Sequence, residues 1–222
     1  MIRIAQVRAE LDYAAKPLEQ LAARALRVRP DEIAWARIAR KSVDARDKGD
    51  VHFSLTLDVE TRRPLKNLPR GAEILKVKPE SEPPKARPMA HPPLVVGLGP
   101  AGLFAGLRLA QAGCRPIVIE RGKCVEDRER DVEAFWNGGA FQPGSNVQFG
   151  EGGAGAFSDG KLTTGIKDPR CREVLKTLHS MGAPEEILYL AKPHIGTDHL
   201  KTVVRNLREE IRALGGTVLF ET

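Results

Sequence analysis

The sequence predicts an α/β protein in two parts: a small α+β sandwich, followed by an open parallel sheet of the kind that binds dinucleotides. Three observations lead to this fold class. A proline-rich stretch interrupts the 222-residue chain, a β-α-β-β order of residue patterns precedes it, and a strand, a glycine turn, a helix and a second strand follow it. The sheet is expected to be incomplete, because the chain stops at a strand.

The proline-rich stretch is KPESEPPKARPMAHPP, which places six prolines among polar residues without apolar periodicity. This composition is typical of a stiff, extended linker. The sequence therefore predicts a first domain at 1–78, a linker at 79–93 and a second region at 94–222.

The first domain alternates strand and helix patterns. IRIAQVRAEL has the two-residue period of a strand, and PLEQLAARALRV has helical spacing with Pro17 at its start. EIAWARIARKSVDA and VHFSLTLDV continue as strands, and AEILKV is a candidate last strand. This order predicts a small ferredoxin-like α+β sandwich.

The second region begins with a βαβ unit. LVVG is a short apolar strand, Leu103, Leu107 and Ala110 share one face of the next helix, and PIVIE is a parallel strand. Further helices are predicted to begin near Asp168 and Pro169 and at Thr197, and TVLFET is a last strand. The alternating charges of residues 127–133 indicate a solvated helix face.

The glycine turn carries the strongest chemical signal. Gly97, Gly99 and Gly102 form G-x-G-x-x-G between the strand and the helix. In a Rossmann-type fold the first glycine makes the tight turn, the second admits a pyrophosphate, and the third lets the helix and strand pack closely. The helix begins at Pro100 and Ala101, and the free N–H groups of its first turn hold the phosphate charge.

Glu120 adds a second signal for the same ligand class. It ends the second strand 18 residues after Gly102, close to the spacing expected of the acid that bonds a ribose hydroxyl. A carboxylate at this position disfavours a ribose with a 2′-phosphate, because the two negative charges repel. The motif itself does not separate FAD from NAD.

Longer stretches resemble known flavoproteins. GLGPAGLFAGLRLAQAG with VIERG is similar to the FAD-binding N-terminus of glutathione-reductase-like proteins. RKSVDAR, NVQFGEGGAGAFSDGKLTTG and PHIGTDHLKTVVRNLREEIRALGG together resemble a family of largely uncharacterised bacterial FAD-dependent oxidoreductases. The resemblance implies FAD as the cofactor and admits NAD(P)H as an electron donor.

The resemblance also implies a second set of flavin contacts in the glycine-rich stretch 146–165. Lys161 is a candidate to stabilise negative charge on the reduced flavin. A mobile surface loop is the alternative interpretation of this stretch. The cofactor residues implied beyond the glycine turn are Glu120, Arg121, Gly152, Gly153, Ser158, Gly160 and Lys161.

Composition limits the cellular compartment and the classes of partner that the sequence predicts. The net charge of +6 comes mostly from residues 1–80, where 17 Lys and Arg face 12 Asp and Glu in a mixed arrangement that argues against nucleic-acid binding. Three cysteines without metal-ligand spacing predict reduced thiols and no metal site. The charged N-terminus and the lack of a long apolar run predict a cytoplasmic protein without a membrane anchor.

The predicted function is that of an FAD-dependent dehydrogenase in which hydride passes through the flavin of the intact protein. The chain is expected to be its N-terminal portion, to bind FAD weakly or not at all alone, and to be inactive. The substrate, the catalytic residues and the oligomeric state are not identified. Two alternatives remain: an NAD-binding regulatory domain, and an RNA-binding or interaction module based on the basic first domain.

Overall fold

A computed structural model describes residues 1–76 and 89–222 of the protein. Most of the predicted linker at 79–93 lies outside these residues. Within them the chain is a mixed α/β protein with two sheets, one antiparallel and one parallel. No helix of the described residues has the length and apolar character needed to cross a bilayer.

The chain divides into two compact units. The first contains residues 1–76 and the later segment Leu188–Pro193, and the second contains the other described residues. The first unit is therefore not continuous in sequence, which differs from the predicted domain at 1–78.

The first unit is a four-stranded antiparallel sheet with one α-helix. The order across the sheet is β2-β3-β1-β4, so that β1 lies inside the sheet and β2 and β4 lie at its edges. The predicted strands and helix are confirmed as β1 (Ile2–Ala9), α1 (Leu18–Leu26), β2 (Ile33–Asp44), β3 (His52–Thr61) and β4 (Ala72–Ile74).

Apolar alternation and one amphipathic helix build the core of this unit. Ile2, Ile4, Val7 and Ala9 of β1 are buried, and α1 buries its own apolar stripe beside them. The register between β1 and β3 shifts after Ile4, as in a β-bulge. This shift keeps Val7 and Ala9 on the buried face although two residues separate Ile4 from Val7.

The segment Leu188–Pro193 lies along the outer edge of β2. The N–H of Lys41 donates to the carbonyl of Tyr189 at 2.7 Å, and the N–H of Ala191 donates to the carbonyl of Lys41 at 2.9 Å. This pairing is parallel and centres on Lys41 and Leu190. A short piece of later chain thus satisfies main-chain groups of the edge strand.

The second unit is a three-stranded parallel sheet with four α-helices. The order is β5-β6-β7, and the predicted strands and connecting helices are present. The elements are β5 (Leu94–Val96), α2 (Pro100–Gln111), β6 (Ile117–Glu120), α3 (Val125–Trp136), α4 (Arg170–Ser180), α5 (Thr197–Ala213) and β7 (Thr217–Phe220). The helix predicted from Asp168 and Pro169 begins one residue later than expected.

Helices α2 and α5 pack against each other and against the sheet. Leu103, Leu107 and Ala110 form the buried stripe of α2, as predicted from their spacing. A Cβ added at Gly106 would lie 3.1 Å from Val118 of β6 and 3.2 Å from Ile211 of α5. The absence of a side chain at Gly106 therefore allows the helix, the strand and α5 to come together.

Candidate functional site

The turn between β5 and α2 is tight and closely packed. Gly97 has a φ of +92°, which favours glycine, and its N–H donates to the carbonyl of Ile119 at 2.8 Å. A Cβ added at Gly102 would lie 2.9 Å from the carbonyl carbon of Gly97 and closer still to its oxygen. Both glycines are thus required by the path of the chain itself.

Gly99 is different, because nothing in the described chain requires a glycine there. Its φ of −71° and ψ of −175° suit any residue, and an added Cβ would meet no atom within 4 Å. Ala101, at the start of α2, is exposed. The missing side chain therefore leaves the helix N-terminus open to something outside the described chain.

The amides at this helix end are available as donors. Within the described residues, no hydrogen bond engages the N–H of Gly99, Ala101 or Gly102, and Pro100 has no N–H. The positive end of the helix dipole adds to these donors. The turn thus has the geometry and the electrostatics of an anion site.

The predicted ribose acid lies at this turn, but its carboxylate already has partners. The two oxygens of Glu120 accept hydrogen bonds from the N–H of Leu98 at 2.7 Å and from the N–H of Gly122 at 2.8 Å. The residue is 5% exposed. Since each carboxylate oxygen can accept a second hydrogen bond, Glu120 shapes the turn and keeps acceptor capacity for a hydroxyl. Its role as a ribose ligand stays a prediction.

Arg121 follows Glu120 and is exposed. Its guanidinium carbon lies 4.2 Å from the centre of the Phe149 ring, which is the geometry of a cation–π contact. Phe149 belongs to the glycine-rich stretch 146–165, so Arg121, which follows Glu120, contacts that stretch.

The structure brings the first part of the glycine-rich stretch onto the turn. The N–H of Gly152 donates to the carbonyl of Leu98 at 2.8 Å, and a Cβ added at Gly153 would lie 3.3 Å from Pro100. The start of the stretch is also close to the end of β6, because a Cβ added at Gly122 would lie 2.5 Å from the Cα of Gly150. Gly152 and Gly153 therefore join the predicted turn residues in one place.

The later predicted contacts pair elsewhere in the second unit. The carbonyl of Gly160 accepts the N–H of Ile195 at 3.1 Å, and the carbonyl of Ser158 accepts the hydroxyl of Thr197 at 2.9 Å. The ammonium of Lys161 forms an exposed ion pair with Asp159 at 2.8 Å. Ser158, Gly160 and Lys161 thus line the start of α5, and their predicted flavin contacts stay predictions.

A buried arginine that sequence reasoning missed holds the glycine-rich stretch. The guanidinium of Arg128 donates to three carbonyls, those of Asn146 at 2.7 Å, Glu151 at 2.7 Å and Gly153 at 2.9 Å. The prediction of a solvated charged face at 127–133 is wrong for Arg128, which is fully buried. The sequence did contain a signal of this burial: Arg128 lies between Val125 and Val132 at helical spacing, so the three side chains share one face of α3.

Glu151 lies at the centre of a buried charge network with Arg208 of α5. One oxygen of Glu151 accepts from the N–H of Val125 at 2.8 Å and from Arg208 at 2.7 Å. Arg208 also binds both oxygens of Glu126, at 2.7 and 3.0 Å. The glycine-rich stretch is thereby tied to α3 and α5 through charged side chains.

Burial sets the protonation of this network. Loss of water raises the pKa of Glu151 to about 7, while Arg208 opposes that rise. Burial also lowers the pKa of Arg128 to about 10. The hydrogen bonds from Arg208 lower the pKa of Glu126 to about 2. Glu151 is thus the member of the network that changes charge near neutral pH.

Comparisons with known proteins identify similar sequences, but the descriptions of those proteins name no activity. Residues 1–60 match a family described as a domain of unknown function, DUF8436. A Clostridium beijerinckii protein described as uncharacterized is 46% identical over 231 aligned positions. That alignment covers all of this chain and 42% of the relative, so the chain spans less than half of the relative's length.

Proposed function

We propose that this chain is the FAD-binding N-terminal portion of a bacterial FAD-dependent oxidoreductase, with a Rossmann-type second unit. The observation that carries the proposal is the open N-terminus of α2, where Gly99 has no side chain and three N–H groups have no acceptor in the described chain. A negatively charged pyrophosphate suits such a helix end. The parallel β5-α2-β6 arrangement supports a dinucleotide fold.

Each residue near the turn has a definable part in holding the cofactor. The amides of Gly99, Ala101 and Gly102 would bind the pyrophosphate, and Glu120 would use its remaining lone pairs for a ribose hydroxyl. Gly152 and Gly153 would border the same site, since they pack against the turn. FAD, when bound, supplies the redox chemistry, and the protein binds and orients it.

The choice of FAD over NAD depends on the resemblance of residues 97–113 and 118–122, and of the stretches 40–46, 146–165 and 193–216, to flavoproteins. The resemblance does not name a substrate or catalytic residues, and we assign none. A strand order of β5-β6-β7 is consistent with one half of a Rossmann sheet, in which the first strand neighbours the second and the second neighbours the third.

We also propose that the first unit has a ferredoxin-like fold. Its strand order, β2-β3-β1-β4 with antiparallel neighbours throughout, supports a ferredoxin-like arrangement. One feature departs from a β-α-β-β-α-β pattern: the ten residues between β3 and β4 contain no helix. The first unit thus has this strand layout with a single α-helix, α1.

The test is to identify the nucleotide and to locate it at Gly99. FAD, NAD and ADP are titrated by calorimetry into this chain and into the longer C. beijerinckii relative. We expect FAD to be preferred, with tight binding by the relative and weak binding by this chain. A preference for NAD, or no nucleotide binding by either protein, would contradict the proposal.

Gly99→Val in this chain, and the matching substitution in the relative, place the site. A side chain at Gly99 enters the space at the helix N-terminus without backbone strain, so we expect at least tenfold weaker FAD binding and an unchanged melting temperature. The matched control is Gly144→Val, because Gly144 also has an unconstrained φ and open space around it but lies outside the proposed site. Equal FAD affinity of the two variants would remove Gly99 from the site.

A further inference from the structure

A cleft lies within the first unit, and no part of the proposed function uses it. It encloses about 580 Å³ between β1 and α1, and residues 4–10 form one wall. That volume falls in the range of ligand sites in proteins, about 300–1,000 Å³. The other lining residues used below are Lys16, Arg24 and Arg70.

One wall of this cleft is an open strand edge. β4 pairs with β1 only from Ile2 to Ile4, and the N–H of Ala5 makes a last hydrogen bond to Gly71 at 3.0 Å. Beyond it, the described residues form no backbone hydrogen bond to residues 6–9 apart from the pairing with β3. Since alternate residues of a strand direct their N–H and C=O groups to opposite sides, this edge has donors and acceptors without partners among residues 1–76 and 89–222.

The edge begins at an unusual backbone position. Gln6 is exposed and has a φ of +58°, a left-handed conformation that costs a non-glycine residue about 1–2 kcal/mol. It lies in the shift of register between Ile4 and Val7. The pairing with β4 ends before this bulge, and the residues that follow it continue along the cleft wall.

Positive charge surrounds the edge. Lys16 and Arg24 lie on the α1 side of the cleft and Arg70 lies before β4, and none of the three has an ion-pair partner within the described chain. Arg8 is already paired with Asp50 at 2.5 Å and with Glu10 at 3.3 Å. Among the lining acids, Glu10 is paired with Arg8, and Asp12 has no ion-pair partner within the described chain. Three unpaired cations thus stand against one unpaired carboxylate, so the cleft is mainly positive and complements an acidic ligand.

We propose that this cleft binds an extended acidic peptide segment, which adds to β1 as a further strand beside residues 6–9. Main-chain hydrogen bonds to the open edge provide affinity, as in other cases of strand addition. Lys16, Arg24 and Arg70 select carboxylates at alternate positions of the peptide, because alternate side chains of a strand share one face. The inference does not depend on FAD, and it gives the domain at the N-terminus a binding role of its own.

The experiment uses the full chain and a fluorescein-labelled peptide of eight alternating Val and Glu residues with blocked ends. Binding is measured by fluorescence anisotropy, and hydrogen exchange is followed at the amides of residues 5–9. We expect saturable binding, at least tenfold weaker binding of the Val–Lys peptide, and at least tenfold slower exchange at alternate edge amides. A peptide of the same sequence, N-methylated at alternate residues, should lose binding because it lacks the donors for the edge.

Charge variants test the selectivity of the cleft. We expect Arg24→Gln with Arg70→Gln to weaken binding about tenfold, whereas Lys48→Gln with Lys66→Gln, equal in charge but outside the cleft, should leave it unchanged. All four side chains are exposed, so folding should be unaffected. The melting temperature of each variant provides the check.

Three results would overturn the proposal. No binding at millimolar peptide would show that the charges only protect the edge from other strands. Equal binding of the N-methylated peptide, or displacement by inorganic pyrophosphate without exchange protection, would show a site for anions alone. Equal loss of binding in the two double variants would show that overall charge, and not this cleft, attracts the peptide.

Discussion

Replacement of Glu151 by glutamine is expected to remove a pH dependence from the stability of the second unit. Burial raises the pKa of Glu151 from 4.5 to about 7, so the folded protein holds a proton that the unfolded chain loses between these values. Stability from this group is therefore full below the unfolded pKa and is lost as the pH rises through the folded pKa. A shift of this size corresponds to about 3 kcal/mol.

The measurement is urea unfolding of the natural chain and of Glu151→Gln between pH 5 and pH 8. Both carry Trp35→Phe, which leaves Trp136 of α3 as the fluorescence reporter of the second unit. Because glutamine does not titrate, the difference in the free energy of unfolding isolates Glu151. We expect the natural chain to lose about 2–3 kcal/mol relative to the variant over this range. A difference that stays constant within about 0.5 kcal/mol would refute the reasoning.

Two further predictions concern packing and charge. Gly102→Ala should cost about 3 kcal/mol because its Cβ meets the backbone of Gly97. Gly106→Ala should cost less, about 1 kcal/mol, because its Cβ meets only methyl groups of Val118 and Ile211, which need to shift by a few tenths of an ångström, and alanine favours the helix. Thermal unfolding compares the two, and equal stabilities would contradict the reasoning. Asp58→Asn should cost about 1–2 kcal/mol at pH 7, because the buried carboxylate accepts from Arg3 at 2.7 Å and from Arg37 at 3.2 Å. Burial alone would raise the pKa of Asp58, but the two arginines outweigh it and lower the pKa. The stabilisation by the ionised carboxylate should therefore vanish as the pH falls through that lowered pKa. If urea unfolding showed the same loss of stability in Asp58→Asn at every pH, the reasoning would be wrong.

Periodicity was sufficient to predict the strands of both units and helices α1 and α2, and capping residues marked the starts of α4 and α5. The signals are local in sequence. Apolar residues recur at strand spacing in β1 and at helical spacing in α2, because these side chains are the ones that the structure buries, among them Ile2, Ile4, Val7, Leu103, Leu107 and Ala110. The glycine turn could also be predicted, because a positive φ at Gly97 and the contact at Gly102 are consequences of strand–helix geometry.

The contacts of the glycine-rich stretch could not be predicted in this way. Arg128 lies 18 to 25 residues from the carbonyls that it binds, and Arg208 lies 57 residues from Glu151. Alternating charges around Arg128 suggested solvent exposure, because charge patterns report the average environment of a helix face. A buried guanidinium is distinguished only by partners that the fold brings from elsewhere.

The non-contiguous make-up of the first unit has a consequence for biosynthesis. The groups that complete the edge at Lys41 belong to Tyr189 and Ala191, more than a hundred residues later in the chain. At ribosomal speeds of about 5–20 residues per second, roughly 7 to 30 s separate the synthesis of Lys41 from that of its partners. The nascent protein must therefore keep this strand edge unpaired, or paired with something else, while most of the second unit is being made. A ribosome paused within α4 would hold a first unit that has its helix and four strands but lacks its last hydrogen bonds.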